Sequence, residues 1–112
     1  MLAKKIAQLA IVAAEDKQAE NVVGLDVGKL TSLAHYFVIM HGNSDRHVRA
    51  IAQNIIDVMG QNKNKLWHKE GLESGQWVLL DYGPIIAHVF YRDLREFYGL
   101  ERLWGNAPHV EA

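Results

Sequence analysis

Apolar residues recur at helical spacing in two stretches of the chain. Near the start, Leu2, Ile6, Leu9, Ala10 and Ala13 form one stripe, which predicts an amphipathic first helix. In the middle, Val48, Ile51, Ala52, Ile55, Ile56 and Met59 run at i, i+3, i+4, i+7, i+8 and i+11. This is the clearest helical pattern, and Gly60 is placed to end it. Between the two helices, Asn21–Asp26 is a short apolar run bounded by polar residues and predicts a strand. Lys29–Ser32 reads as a loop. Tyr36–Met40, rich in aromatic and β-branched residues, predicts a second strand buried on both faces. The turn Gly42-Asn-Ser-Asp45 that follows offers Asn43 or Ser44 as the cap of the middle helix.

The second half changes period. Asn62–Gly75 is polar, with Leu66-Trp67-His68 as a short edge strand. Gln76–Tyr82 and Ile85–Tyr91 are strands joined by Gly83-Pro84, a connection short enough only for antiparallel neighbours. Leu94, Phe97 and Tyr98 predict a short third helix stopped near Gly99, with another turn or two over Leu100–Trp104. The order α-β-β-α-β-β-β-α implies a single small α/β domain over residues 1–112, a mixed five-stranded sheet with helices packed on it.

Coverage connects this fold to function. Five strands about 4.8 Å apart make a sheet roughly 24 Å wide, and a helix covers about 10 Å of it. Two long helices therefore roof one face, leaving the other to the short C-terminal segment. Yet the last hairpin is apolar on both parities, with Trp77 and Leu79 on one side and Val78 and Leu80 on the other. Two outcomes are open. An aromatic-anchored patch stays exposed as an interaction surface, or Phe97, Tyr98 and Trp104 fold back over it.

Composition narrows the classes. At 112 residues the chain makes one domain. With no cysteine it carries no disulfide framework, thiolate metal site or cysteine nucleophile, which suits a reducing cytosol. The net charge of −1 lacks the basic excess of a protein living on nucleic acid, so no dedicated nucleic-acid site is expected, only a local patch at most. No apolar run reaches the roughly 18 residues of a membrane span. The first segment looks superficially like a signal peptide, but Gln8 interrupts its apolar run and Glu15-Asp16 follow where small residues should.

Candidate chemistry is sparse. His41 and His47 lack metal-ligand spacing for one helix face, and His68-Lys69-Glu70 resembles the H-x-E of zinc deaminases without the two cysteines that site needs. No metal or other cofactor is expected. His88 lies among apolar strand residues and needs a partner if buried; Asp81 on the neighbouring strand is the candidate for a structural pair. The Gly42–Asp45 turn could cradle a phosphate, but no phosphate-loop or dinucleotide motif is present. Asp26 and Asp81 at strand ends could share a metal. Ser44 and His47 form a neighbour pair without an oxyanion loop, which is no triad.

Several segments together resemble the ribosomal silencing factor family, the Iojap/YbeB-like proteins. They are Leu25-Asp26-Val27 with Lys29–Ser32, Tyr36–Ile39 and Gly42–Val48, then His68–Gly71, Trp77–Gly83, His88–Phe90, Arg95–Tyr98 and Leu100–Trp104. The likeness spans about Leu2 to Pro108. It implies a fold related to nucleotidyltransferases, without catalysis. It also implies binding to the large ribosomal subunit through its protein uL14, which obstructs joining of the small subunit and lowers translation when nutrients are short. A bacterial, cytoplasmic member is implied, since no transit-like extension is seen. Pro84 departs from the family, whose members often carry an acidic residue there.

If the likeness extends to the docking surface, Trp77, Leu79 and Asp81 form part of it, with His68, Gly71 and Leu72 beside them and Arg95 and Tyr98 from the following helix. Trp77 and Leu79 would desolvate against uL14, while Asp81 and Arg95 would pair with opposite charges at the rim. Two competing readings remain at this stage. One is a nucleotidyltransferase-like enzyme using Asp26 and Asp81 with Mg²⁺ near the Gly42–Asp45 turn; the other is a homodimer that consumes the same patch.

Overall fold

The structure, a computed structural model, describes residues 2–112. In chain order the elements are α1 (Ala3–Glu15), β1 (Glu20–Asp26), β2 (Tyr36–Gly42), α2 (Asp45–Gln61), β3 (His68–Glu70), β4 (Trp77–Asp81), β5 (Ile85–Tyr91), α3 (Arg92–Tyr98), α4 (Leu100–Leu103) and β6 (His109–Val110). They build one mixed sheet of order β3-β4-β5-β2-β1-β6. Only β2 and β5 run parallel; the other pairs are antiparallel. The sheet thus has six strands where five are expected. The sixth is a two-residue pairing of His109 and Val110 with Leu25 and Gly24, too short to leave a period in the sequence.

The two long helices do roof one face. Alternation sends Val38, Met40, Val78, Leu80, Ala87 and Val89 to that side, where they meet Val48, Ile51, Ile55 and Met59 of α2. The buried residues of α1 are Ala7, Ala10, Ile11, Ala13 and Ala14, with Ile6 and Leu9 packed against the core, so the expected stripe holds except for Leu2, which lies outside the helix and is exposed. Alanines let the helix axis come close to the sheet and to α2, so small residues rather than the larger ones occupy the closest approach.

Local signals are mostly obeyed. The Ser44 hydroxyl caps α2 by accepting from His47 N at 3.0 Å. Gly60 does not end that helix, which continues to Gln61. Termination falls instead at Lys63, whose φ of 63° is left-handed and lets Asn64 N reach Met59 O at 2.9 Å. The β4–β5 hairpin closes through Tyr82 N to Ile85 O at 2.8 Å, with Gly83 at φ 86° before Pro84. A positive φ followed by proline's fixed negative φ is the sign pattern of a type II′ hairpin turn. The edge strand β3 sits two residues later than predicted, at His68–Glu70.

The other face is partly covered. Leu94, Leu100, Trp104 and Ala107 fold back onto Leu25, Val27, Phe37, Ile39 and Phe90, and Trp104 meets Phe37 edge-on with ring centroids 5.6 Å apart. The tail therefore seals the β5-β2-β1 side, meets β4 only at Trp77 through Tyr98, and leaves β3 and the rest of β4 open. Both outcomes left open by the coverage argument are realised, on different halves of one face.

Candidate functional site

Register decides which side chains share the uncovered half. His68 pairs with Asp81, and Glu70 with Leu79, across β3 and β4; Trp77 pairs with Phe90, and Leu79 with His88, across β4 and β5. Cross-strand partners project from the same face, so His68, Glu70, Trp77, Leu79 and Asp81 form one surface over His88 and Phe90. Tyr98 reaches it from α3, its ring centroid 4.5 Å from that of Trp77. Phe97 stands next to Tyr98 with centroids 5.3 Å apart and is 76% exposed.

Trp77 is anchored rather than free. Its indole lies near-parallel to Phe90 at 5.0 Å and donates Nε1–H to His88 Nδ1 at 3.2 Å. Leu79 is different. It is half-buried yet packs into neither core cluster, an apolar side chain with no internal use. The rim is acidic: Glu70 accepts from His68 Nε2 at 3.0 Å, and Asp81 accepts from Gly83 N at 2.7 Å.

Three residues expected at this surface belong elsewhere. Arg95 is only 9% exposed and is not a rim charge. Its Nε donates to Glu101 at 2.7 Å, and its Nη1 donates to the Glu20 carbonyl at 3.2 Å and to His41 Nδ1 at 2.9 Å. The guanidinium is thus committed to tying α3 and α4 to β1 and β2. Leu72 packs against the α1/α2 core on the opposite side of the sheet. Gly71 works through its backbone: its φ is 81°, and a Cβ would lie 1.9 Å from the Trp77 carbonyl oxygen. It permits the β3–β4 crossing and brings no side chain to the surface.

The His88–Asp81 pair is not formed. His88 stands opposite Leu79 while Asp81 stands opposite Ile86, and the indole of Trp77 occupies the imidazole first. Because Nδ1 accepts, the neutral ring carries its proton on Nε2, which finds no partner among the described residues. Burial pushes the His88 pKa down to about 4.

The catalytic alternatives lose their geometry. Asp26 is paired through Tyr36 to Ile85, and Asp81 to Ile86, so alternation directs the two carboxylates to opposite faces with two strands between them. Each is used locally, Asp26 Oδ1 accepting from Gly28 N and Asp81 Oδ1 from Gly83 N. In the Gly42–Asp45 turn, Asn43 N already donates to His47 Nδ1, and His47 N to Ser44, which consumes the amides a phosphate would need. His47 Nε2 in turn donates to the Lys17 carbonyl at 2.8 Å. Among the described residues no three His, Asp or Glu side chains converge as a metal site, and no helix is long and apolar enough to cross a membrane.

Two contributors to the surface escaped the sequence reading. Phe97 shares a short helix with Leu94 and Tyr98, so its apolar character pointed inward. Glu70 enters the face only through the two-residue shift of β3, which no local signal encodes.

Comparison with known proteins agrees with this architecture. A family model described as "Ribosomal silencing factor during starvation" (RsfS) matches residues 2–112. The ribosomal silencing factor RsfS of Bacillus subtilis is 44% identical over 105 residues, covering 94% of this chain and 89% of that one. The RsfS of Halalkalibacterium halodurans is 43% identical, covering 96% and 92%. A crystal structure of a Chromobacterium violaceum protein superposes with a TM-score of 0.92 at 37% identity, covering 94% of this chain and 88% of its own.

Proposed function

The chain belongs to the ribosomal silencing factor family, whose members are regulatory ribosome-associated factors and not enzymes, and we propose that it acts as a steric obstacle. In this reading the β3–β4 face docks on protein uL14 of the large subunit and blocks joining of the small subunit, in the cytoplasm. The observation that carries the reading is Leu79, an apolar side chain left half-open between Glu70 and His88 in the ladder, belonging to neither core and two residues along the same strand face from the Trp77–Tyr98 pair. Aromatic anchors around a desolvating centre are the common anatomy of a binding hot spot. The carboxylates of Glu70 and Asp81 at the edge favour a cationic partner and set its orientation. Inhibition then needs no bond to be made or broken, since two bodies cannot fill one volume.

The test is Leu79→Asp, measured against purified uL14 and against isolated large and small subunits by co-sedimentation. We expect roughly thirtyfold weaker binding to uL14, on the order of 2 kcal/mol, with an unchanged circular dichroism spectrum. Trp77→Ala is a poorer probe, because it also strips Phe90 and His88 of their neighbour. Equal affinity of the variant for uL14, or equal binding of the wild type to small subunits, defeats the reading. A concentration-dependent dimer that uL14 fails to dissociate would assign the face to self-association instead.

A further inference from the structure

A second exposed aromatic lies at the other end of the hairpin. Trp67 is 68% exposed. The six-membered part of its indole rests on the backbone of Gly83, so closely that a Cβ there would meet ring atoms at 2.7 and 2.8 Å. One side of the ring is thereby held on the turn while the rest faces outward. The loop before β2 supplies Leu33, 69% exposed, with Thr31 and His35, and these line with Trp67, Gly83 and Pro84 a groove of about 380 Å³. The groove has apolar walls and hydroxyl and imidazole groups along its lining, which suits a flat heteroaromatic ring carrying polar edges.

The chain that flanks Trp67 is basic, while the two carboxylates at the groove, Asp81 and Asp26, are bonded to the amides of Gly83 and Gly28 that line it. From Gln61 to Lys69 the sequence holds Lys63, Lys65 and Lys69 and no Asp or Glu. All three lysines are exposed, and among the described residues none forms an ion pair. The carboxylates nearest along the chain are otherwise engaged, Asp57 with Gln53 and Glu70 with His68. A fixed indole flanked by unpaired cations is the arrangement that proteins use to stack a base while neutralising its phosphates. An overall charge of −1 excludes an extended nucleic-acid footprint but not a site of one or two nucleotides.

We propose that the Trp67 groove takes an unpaired base of an RNA single strand, with Lys63, Lys65 and Lys69 on the flanking phosphates. The identity of the RNA, a loop of the large subunit next to the docked protein, rests on the ribosomal reading; the affinity for single-stranded RNA does not. Trp67 immediately precedes His68 of the docking face, but its ring lies on the Gly83 turn, and alternation along β3 turns Lys69 to the face opposite His68 and Glu70, so the two contacts use different side chains.

The probe is a fluorescently labelled ten-nucleotide oligouridylate, titrated with the whole protein by anisotropy at several salt concentrations. We expect measurable binding at low salt that weakens as salt rises. Trp67→Ala should lose about tenfold or more, and Trp67→Phe should recover much of it, because either ring can stack. Replacing Lys63, Lys65 and Lys69 together with Gln should flatten the dependence of log K on log salt by about 2, three phosphates at roughly 0.7 each. Both sets of variants should bind purified uL14 as the wild type does, and Leu79→Asp should bind the oligonucleotide normally, so failure of one reading is visible apart from the other. No binding of the wild type up to about 100 times the concentration of a 1 µM site, on the scale of weak non-specific contacts, overturns the proposal. So does equal binding by Trp67→Ala, or a fall in molecular mass by light scattering in that variant with RNA binding unchanged, which would place a second copy of the chain in the groove.

Discussion

Trp77 and His88 lie diagonally across the β4–β5 ladder, and the 3.2 Å bond from the indole nitrogen to Nδ1 fixes both at once. The tryptophan is held flat on Phe90, and the histidine is locked as the Nε2–H tautomer. A candidate docking residue therefore depends on a buried base that must stay neutral.

That dependence gives a pH prediction. The folded pKa of His88, about 4, lies below the unfolded value near 6.5. Between these values the unfolded chain binds more protons, so stability falls as pH falls. The full contribution is present above pH 6.5, shrinks from there down to about 4, and is gone below. The loss is on the order of 3 kcal/mol from a shift of this size. Urea denaturation at pH 7.5 and pH 5 should show about 2 kcal/mol of it, from roughly 1.5 pH units at about 1.36 kcal/mol each, and His88→Phe should flatten most of the difference. An equal slope in that variant would mean other groups carry it.

Arg95 should behave as a clasp. Arg95→Ala leaves His41 Nδ1, the Glu20 carbonyl and Glu101 without their donor, and we expect a loss of about 2–3 kcal/mol, the range for hydrogen bonds to a charged group. Hydrogen exchange should rise first over residues 92–103, where the anchor is lost. Binding to uL14 should weaken because Tyr98 is no longer held against Trp77. Arg95→Lys cannot reproduce the three-way fork and should rescue only part. Normal exchange over α3 and α4 would remove the clasp.

Protonation of His41 acts on the same clasp. Burial and then the adjacent Arg95 hold its pKa below the usual histidine value, against the opposing pull of Glu20. Below that depressed value a proton on Nδ1 would face the guanidinium, so α3 and α4 should loosen as pH falls, detectable as exchange rates over residues 92–103 that rise with acid in His88→Phe.

Gly71→Ala should be far worse than an average loop substitution. The new Cβ sits 1.9 Å from the Trp77 carbonyl, at a φ that side chains avoid. We expect more than about 1 kcal/mol of destabilisation, since the native conformation is incompatible with alanine. Binding should fall too, because β3 and its His68 and Glu70 lose their register. A melting temperature within error of wild type would show that the turn can rebuild.

Ser44→Ala supplies the contrast. It removes one cap bond, at a cost of about 1 kcal/mol, far from the docking face. Thermal stability should drop while uL14 binding, measured well below the transition, stays unchanged.

Much of the fold was legible from local pattern. The period of Val48–Met59 marked α2, the β-branched run of Tyr36–Met40 marked the central strand, and Gly83-Pro84 marked the hairpin. Alternation alone placed Trp77 and Leu79 on one face and Val78 and Leu80 on the other. Ordered family motifs pointed to the ribosome, and the family match agrees. What a motif could not do was separate residues that touch a partner from residues that hold the fold. Arg95, Gly71 and Leu72 are grouped with Trp77 and Leu79 by the resemblance, yet one is a buried clasp, one a backbone crossing and one core on the opposite side.

The division has a physical cause. Periodicity reports which side of its own element a residue occupies, because that follows from 3.6 or 2 residues per repeat. It carries no information about what lies across from that side. Whether Phe97 faces inward, whether Arg95 finds His41 across 54 positions of sequence, and whether the tail reaches β4 or stops at β5 depend on where α3 and α4 come to rest. Chain folding sets that position through long-range packing, so the elements and their apolar faces were written in the sequence, and the face left open was decided only when the tertiary structure closed the rest.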